Sequence, residues 1–256
     1  MIPPDALAAT HCWDTPPATL WASDDTVHVW LAGLDGMKES IPGFRDTLAD
    51  DERERAQAFC LPRDRDRFIL ARGILRALLA RYLGADPQEI RLRYERHGKP
   101  ALAPESALLG LSFNLSHSDG LALFAITRGR RVGVDVERVR EDELSLTEIA
   151  RRSFAPREAR TLTALPAPAR PRAFFACWTR KEAYLKARGD GLMFPLDRFD
   201  VSLAPGDPPR LLEVRGEPAE SARWSLAALD APPGYEAALA VEGRGWQLRC
   251  WRWDAP

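Results

Sequence analysis

Three features of the 256-residue chain predict an α+β fold. Each half holds one long segment whose apolar residues recur at helical spacing, and each half holds several short runs rich in β-branched and aromatic residues. In addition, Gly234-Tyr-Glu-Ala-Ala-Leu-Ala-Val241 loosely echoes Gly120-Leu-Ala-Leu-Phe-Ala-Ile126, the mark of a faint internal duplication.

Composition narrows the function. A hydrophobic content of 45% and a charged content of 29% are ordinary for a soluble globular protein. The net charge of −1 argues against a general nucleic-acid binder, for which a strongly basic domain is expected. No apolar run approaches the eighteen or so residues of a membrane span, and no secretory leader pattern opens the chain. Cys12, Cys60, Cys177 and Cys250 are scattered without metal or disulfide spacing, which suits reduced thiols in the cytoplasm. Only four of the 36 basic residues are lysines, and three of them, Lys99, Lys181 and Lys186, fall in segments singled out on other grounds.

In chain order, residues 1–24 are rich in Pro and Ala without a period and read as an extension lying on the surface. Residues 26–31 alternate as a first strand, with His28 on a strand face. Asp50-Asp51-Glu52 open a short helix that Pro62 ends, and a longer helix runs from 64 to 83 and closes at Gly84. Phe68, Ala71, Leu75, Leu78, Leu79 and Tyr82 form its buried face. Arg72 lies roughly 40° from Phe68 on the helical wheel, where a guanidinium needs either an anion or a route to water.

A strand at 89–96, a turn at 97–102 and a strand at 111–115 follow, and the turn Asp119-Gly120 leads into a strand at 121–127. Asn114, Ser116, His117 and Ser118 crowd one sheet end, either to bind phosphate or to build hydrogen-bonded turns. Residues 141–172 read as helix interrupted at Pro156, with a loose Ala-Pro stretch at 164–171. Arg151, Arg152, Arg157 and Arg160 surround Phe154 and Leu162 there, which fits either an acidic protein partner or a solvated surface. A helix over 172–187 stops at Gly189-Asp-Gly191, and strands are predicted at 199–203, 211–214, 224–229, 235–241 and 246–253.

The strand Val132-Gly-Val-Asp-Val-Glu137 organises the rest. Val132, Val134 and Val136 share one face, and Asp135 and Glu137 project from the other. Paired carboxylates on a rigid strand suit a hard divalent cation such as Mg²⁺, although a plain solvent-facing strand has the same pattern. Glu182 supplies a third carboxylate. It lies on the apolar stripe of Phe174, Trp178 and Leu185, where it needs a cation or a donor, or an ordinary salt bridge to Lys186 one turn on.

Four segments in this order, Gly98-Lys-Pro100, Phe113-Asn-Leu-Ser-His-Ser118, Val132-Gly-Val-Asp-Val-Glu137 and Trp178-Thr-Arg-Lys-Glu-Ala-Tyr-Leu-Lys186, resemble the Sfp-type 4′-phosphopantetheinyl transferases over residues 47–203. The resemblance implies a pseudo-twofold α+β duplication of two similar subdomains, each a helix packed on a small, mostly antiparallel sheet. With the echo noted above it divides the chain into an extension at 1–24 and subdomains at 25–137 and 138–256.

It also implies transfer of the phosphopantetheine arm from coenzyme A to a serine of an apo acyl or peptidyl carrier, with Mg²⁺ (or Mn²⁺) held by Asp135, Glu137 and Glu182. Glu182 becomes the general base and Lys186 the stabiliser of the leaving phosphate, assisted by Lys181. Arg55, Arg72, Lys99, Pro100, Ser116, His117, Lys181 and Lys186 become the coenzyme A contacts, and residues 149–162 the carrier-docking surface. The implied protein is a cytoplasmic monomer without nucleic-acid or membrane partners, serving a fatty-acid, polyketide or nonribosomal-peptide carrier. A coenzyme A or nucleotide-binding regulatory module without catalysis is the alternative.

Overall fold

The computed structural model describes residues 13–95, 98–104, 110–189 and 194–254. The start of the N-terminal extension with Cys12, His97 of the predicted turn and Gly191 of the predicted helix stop lie outside the described residues.

The elements run β1 (Thr26–Gly33), α1 (Ile41–Thr47), α2 (Asp50–Gln57), α3 (Pro62–Leu83), β2 (Leu92–Tyr94), β3 (Pro100–Leu102), β4 (Leu111–Ser118), β5 (Leu121–Arg128) and β6 (Val132–Arg138). They continue with α4 (Glu143–Ser153), α5 (Pro156–Ala164), α6 (Arg170–Arg188), β7 (Phe199–Val201), β8 (Leu211–Val214), α7 (Glu220–Arg223), β9 (Trp224–Ala228), β10 (Tyr235–Glu242) and β11 (Gln247–Arg252). The fold is α+β, and no helix among the described residues is long and apolar enough to cross a membrane.

Two sheets stack between two long helices. The first has the order β11-β1-β5-β4, with β1 and β11 parallel, and the second has the order β6-β10-β9. Strand periodicity sorts the side chains into layers. Trp30, Ala32, Phe124 and Ile126 pack against Leu75, Leu78 and Leu79 of α3. The opposite face of the same strands, with Val27, Val29, Leu31, Leu123 and Ala125, packs against Val132, Val134, Val136, Leu239 and Val241 of the second sheet. Beyond it, Ala238 and Ala240 meet Ala183, Tyr184 and Ala187 of α6. Burial on both faces explains why β5 and β10 read as nearly continuous apolar runs.

The sheet boundary does not follow the division expected at 137/138. β6 hydrogen-bonds to β10, and β11 returns to pair with β1. The N-terminal segment covers the free edge of β11, where Asp14 N–H donates to Cys250 O and Arg252 N–H to Asp14 O, both at 3.1 Å.

Sequence patterning missed α1, which carries Pro42 in its first turn, where proline is well tolerated. Phe44 of α1 seats on Gly73 of α3, where a Cβ would lie 2.4 Å from the phenylalanine. β3, which the sequence pattern places in the turn at 97–102, pairs with β2 as a short hairpin.

The same capping device recurs in both halves. Glu52 at the third position of α2 accepts from the Ala49 N–H at 2.9 Å and from Arg76 Nε of α3 at 2.6 Å. Glu158, at the third position of α5, accepts from the Ala155 N–H at 2.9 Å and pairs with Lys181 Nζ of α6 at 2.7 Å.

Gly133 permits the seating of α6 on β6: a Cβ there would stand 2.1 Å from Ala183 O and 2.4 Å from Ala187 N. Gly133→Ala is expected to destabilise the protein by about 2 kcal/mol or more, read from its urea midpoint, because rigid backbone rather than a flexible side chain must move. Burial lowers the His28 imidazole to about 4, with Arg249 adding to the shift. Below the unfolded value of 6.5 the unfolded chain takes up a proton that the fold refuses, so stability falls with pH between 6.5 and 4. Unfolding at pH 7 and pH 4.5 should differ by about 2.5 kcal/mol from this group, a contribution missing in His28→Asn.

Candidate active site

The site forms where the edge of the first sheet meets the edge of the second. Side chains on one face of β4 reach β6: Val134 N–H donates to Asn114 Oδ1 at 2.8 Å, Ser116 Oγ to Asp135 Oδ1 at 2.8 Å, and Ser118 Oγ to Glu137 Oε2 at 2.7 Å. The predicted β6 alternation is observed, with the valines inward and Asp135 and Glu137 on the other face. Asp135 is only 3% exposed.

Lys186 comes to the same place from α6. Its Nζ lies 2.6 Å from Asp135 Oδ1, 2.9 Å from Ser116 Oγ and 3.3 Å from Val134 O. The ammonium is therefore bound to Asp135 rather than to Glu182 one helical turn away. Asp135 Oδ2 and Glu182 Oε1 are buried without a hydrogen-bond partner. Burial and the charges of Asp135 and Glu137 push the Glu182 carboxyl up to about 7 against the opposing pull of Lys186. Glu137 is raised by burial and by Asp135, while its hydrogen bond from Ser118 acts the other way.

The three carboxylates thus feel one another, yet among the described residues no group of three acidic, His or Cys side chains converges closely enough to hold a metal ion. The claw expected from Asp135, Glu137 and Glu182 is gathered but not closed, with the ammonium of Lys186 on Asp135. Its chemistry suits a hard cation: the unanswered atoms are carboxylate oxygens, and a buried oxygen without a donor calls for a positive charge.

A cleft of about 360 Å³ opens beside these groups and includes Ser116 and Lys186 in its wall. Arg55, Arg72, Pro100 and His117 also line it, so six of the eight residues expected to contact coenzyme A share one cavity. Arg55 and Arg72 both stand over the Phe68 ring, 5.5 and 5.6 Å from its centroid. Arg72 is 5% exposed, and its Nε and Nη1 have no acceptor. Phe59 and Phe68 complete the wall. Phe68 was legible only as a member of a buried helical face, and Phe59 carried no pattern of its own.

Two predicted contacts lie elsewhere. Lys99 Nζ donates to Lys186 O at 2.6 Å and Val132 O at 3.3 Å, so it ties the β2–β3 hairpin to α6 and β6 instead of entering the cleft. Burial lowers it to about 8, opposed by Glu95 and helped by Arg131 and Lys186. Lys181 is fully buried in the second core, paired with Glu158 at 2.7 Å and donating to Leu196 O and Phe199 O at 2.8 and 2.6 Å. It offers no ammonium to the cleft. In the expected docking segment at 149–162, Phe154 and Leu162 are core residues, whereas Ile149 reaches the surface with the four exposed arginines; Leu144, just before the segment, is 86% exposed.

A strand carboxylate bonded to a helix lysine thus stands at the end of an arginine-lined cleft. Comparison with known proteins gives the family. Residues 131–240 match the 4′-phosphopantetheinyl transferase superfamily model, and residues 37–128 match the model for the N-terminal part of a 4′-phosphopantetheinyl transferase. The chain belongs to the 4′-phosphopantetheinyl transferases. It is 41% identical over 243 residues to the 4′-phosphopantetheinyl transferase HetI of Nostoc sp., covering 95% of this chain and 99% of that protein. A putative 4′-phosphopantetheinyl transferase of Synechocystis sp. is 34% identical, with 69% and 71% covered. The 4′-phosphopantetheinyl transferase Sfp of Bacillus subtilis is 29% identical, with 80% and 86% covered. The activity of the chain is accordingly transfer of 4′-phosphopantetheine from coenzyme A to a carrier protein.

Lys181→Met is expected to lower stability by about 3–5 kcal/mol, because it leaves Glu158 as an unpaired buried charge. Urea denaturation of this variant and of Lys181→Met with Glu158→Gln checks it: the double variant should regain much of the loss.

Proposed function

We propose that the arginine-lined cleft binds coenzyme A and that the carboxylate cluster at its end performs the transfer. The observation that supports this most is the pair of unanswered buried oxygens, Asp135 Oδ2 and Glu182 Oε1, beside Lys186 and Ser116 at the cleft wall. Arg55, Arg72 and His117 offer positive or donor groups to the phosphates, Ser116 adds a hydroxyl, and Pro100 offers a flat apolar surface to the base.

Asp135, Glu137 and Glu182 would hold Mg²⁺, or Mn²⁺ in its place, and the ion would neutralise charge on the pyrophosphate oxygens. The carrier serine Oγ attacks the β-phosphorus, and the bond to the leaving 3′,5′-ADP breaks. Glu182 takes the serine proton as general base. Lys186, already hydrogen-bonded at the site, shares its donors with the departing phosphate. The carrier docks on α4 and α5, where Leu144 and Ile149 stand among Arg151, Arg152, Arg157 and Arg160. The protein acts as a cytoplasmic monomer, in keeping with the free thiols of Cys60, Cys177 and Cys250.

Incubation of an apo carrier with the protein, coenzyme A and Mg²⁺ should add one phosphopantetheine mass to the carrier, and a chelator should prevent it. Fatty-acid, polyketide and peptide carriers all remaining unmodified would count against the proposal. Glu182→Gln should lower the rate by about 10² or more while keeping the parental urea midpoint. Asp135→Ala should lose the response to added Mg²⁺; a titration matching the parent would remove Asp135 from the metal set.

A further inference from the structure

The two capping glutamates differ in one respect. Glu158 is satisfied on both oxygens: Oε2 meets Ala155 N–H and Lys181 Nζ, and Oε1 accepts from Val201 N–H at 2.7 Å. Glu52 is only 1% exposed, yet Oε2 alone is bonded; Oε1 accepts nothing and lies 3.4 Å from Arg72 Nε. Arg76 is fixed internally by Glu52 Oε2 and Pro87 O at 2.9 Å. One carboxylate therefore faces two guanidiniums, and the uncompensated unit of positive charge falls to Arg72, the one that lines the cleft.

A buried carboxylate and guanidinium that touch without a hydrogen bond make a poor structural ion pair, since desolvation is not offset by geometry. The arrangement makes sense as half of a three-body site. We infer that Glu52 is a positioning residue for Arg72: it attracts the Nε side of the guanidinium, keeps the charge buried at the cleft wall, and leaves donors free for a phosphate group of the co-substrate. Glu52 touches no substrate itself. Without its counter-ion, Arg72 is an unpaired buried cation, driven to move toward water and out of register with the phosphate. The inference rests on the coenzyme A reading of the cleft.

Steady-state transfer to an apo carrier, with coenzyme A varied, tests it in the parent, Glu52→Gln, Arg72→Gln and the double variant. Each single variant is expected to raise KM for coenzyme A about tenfold with kcat within about twofold, and the double variant to be no worse than Arg72→Gln alone, the signature of residues acting as one unit. An unchanged or lowered KM in Glu52→Gln, or penalties that multiply in the double variant, would overturn the positioning role. Urea denaturation shows whether each variant folds. Should Glu52→Gln fail to fold, Glu52→Asp keeps the charge but withdraws it by one methylene; a KM rise supports the inference and a parental KM overturns it. Glu158→Gln should lower the urea midpoint without raising KM. No transfer by the parent, or a parental KM in Arg72→Gln, would remove the coenzyme A reading beneath the inference; an inert Glu52 beside a sensitive Arg72 would remove the positioning alone.

Discussion

α6 lies directly against the backbone of β6, and this contact positions the other parts of the site. With no side chain at Gly133, the strand approaches the carbonyl of Ala183 and the amide of Ala187. At that separation the stem of Lys186 reaches Asp135 and Ser116, and Glu182 enters the field of both strand carboxylates. Lys99 reinforces the contact by donating to carbonyls of both elements. A helix held farther out would leave the Glu182 carboxylate apart from the strand pair and the Lys186 ammonium in water.

The groups that join the sheets also organise the chemistry. β4 and β6 are linked through Asn114, Ser116 and Ser118, and two of these side chains orient Asp135 and Glu137. Each carboxylate is thus held by a donor from the neighbouring sheet, so packing and reactivity are coupled at this seam. The valines on the opposite face of β6 lock the strand into the apolar layer between the sheets, so it cannot rotate its acids away.

The duplication is clearer in the charge pairs than in sequence identity. A short helix capped by its own glutamate, which also binds a cation on the following long helix, occurs once in each half. In the second half the pair is sealed in the core, which removes Lys181 from the site. In the first half one oxygen and two guanidinium nitrogens remain unanswered at a cleft. The two occurrences of one device thus differ in their surroundings, core packing in one and a cleft wall in the other.

Local pattern carried much of this in the chain itself. The period of two over 132–137 decided which face of β6 is acidic, and the helical stripe of α6 marked Glu182 as a carboxylate in need of a partner, because both depend only on backbone geometry. The ordered motifs fixed the family and, with it, most of the cleft residues. Other features needed the folded chain. Lys99 and Lys181 have the same side chain as Lys186, and only the tertiary contacts decided that their amines bind backbone carbonyls and a buried glutamate. The exchange of β6 and β11 between sheets, the role of Glu52 and the turning of Lys186 away from its helical neighbour toward Asp135 were likewise illegible. Periodicity reports which face a residue occupies. The partner on that face comes from segments distant in the chain, as Thr26 of β1 meets Gln247 of β11, and packing alone brings them there.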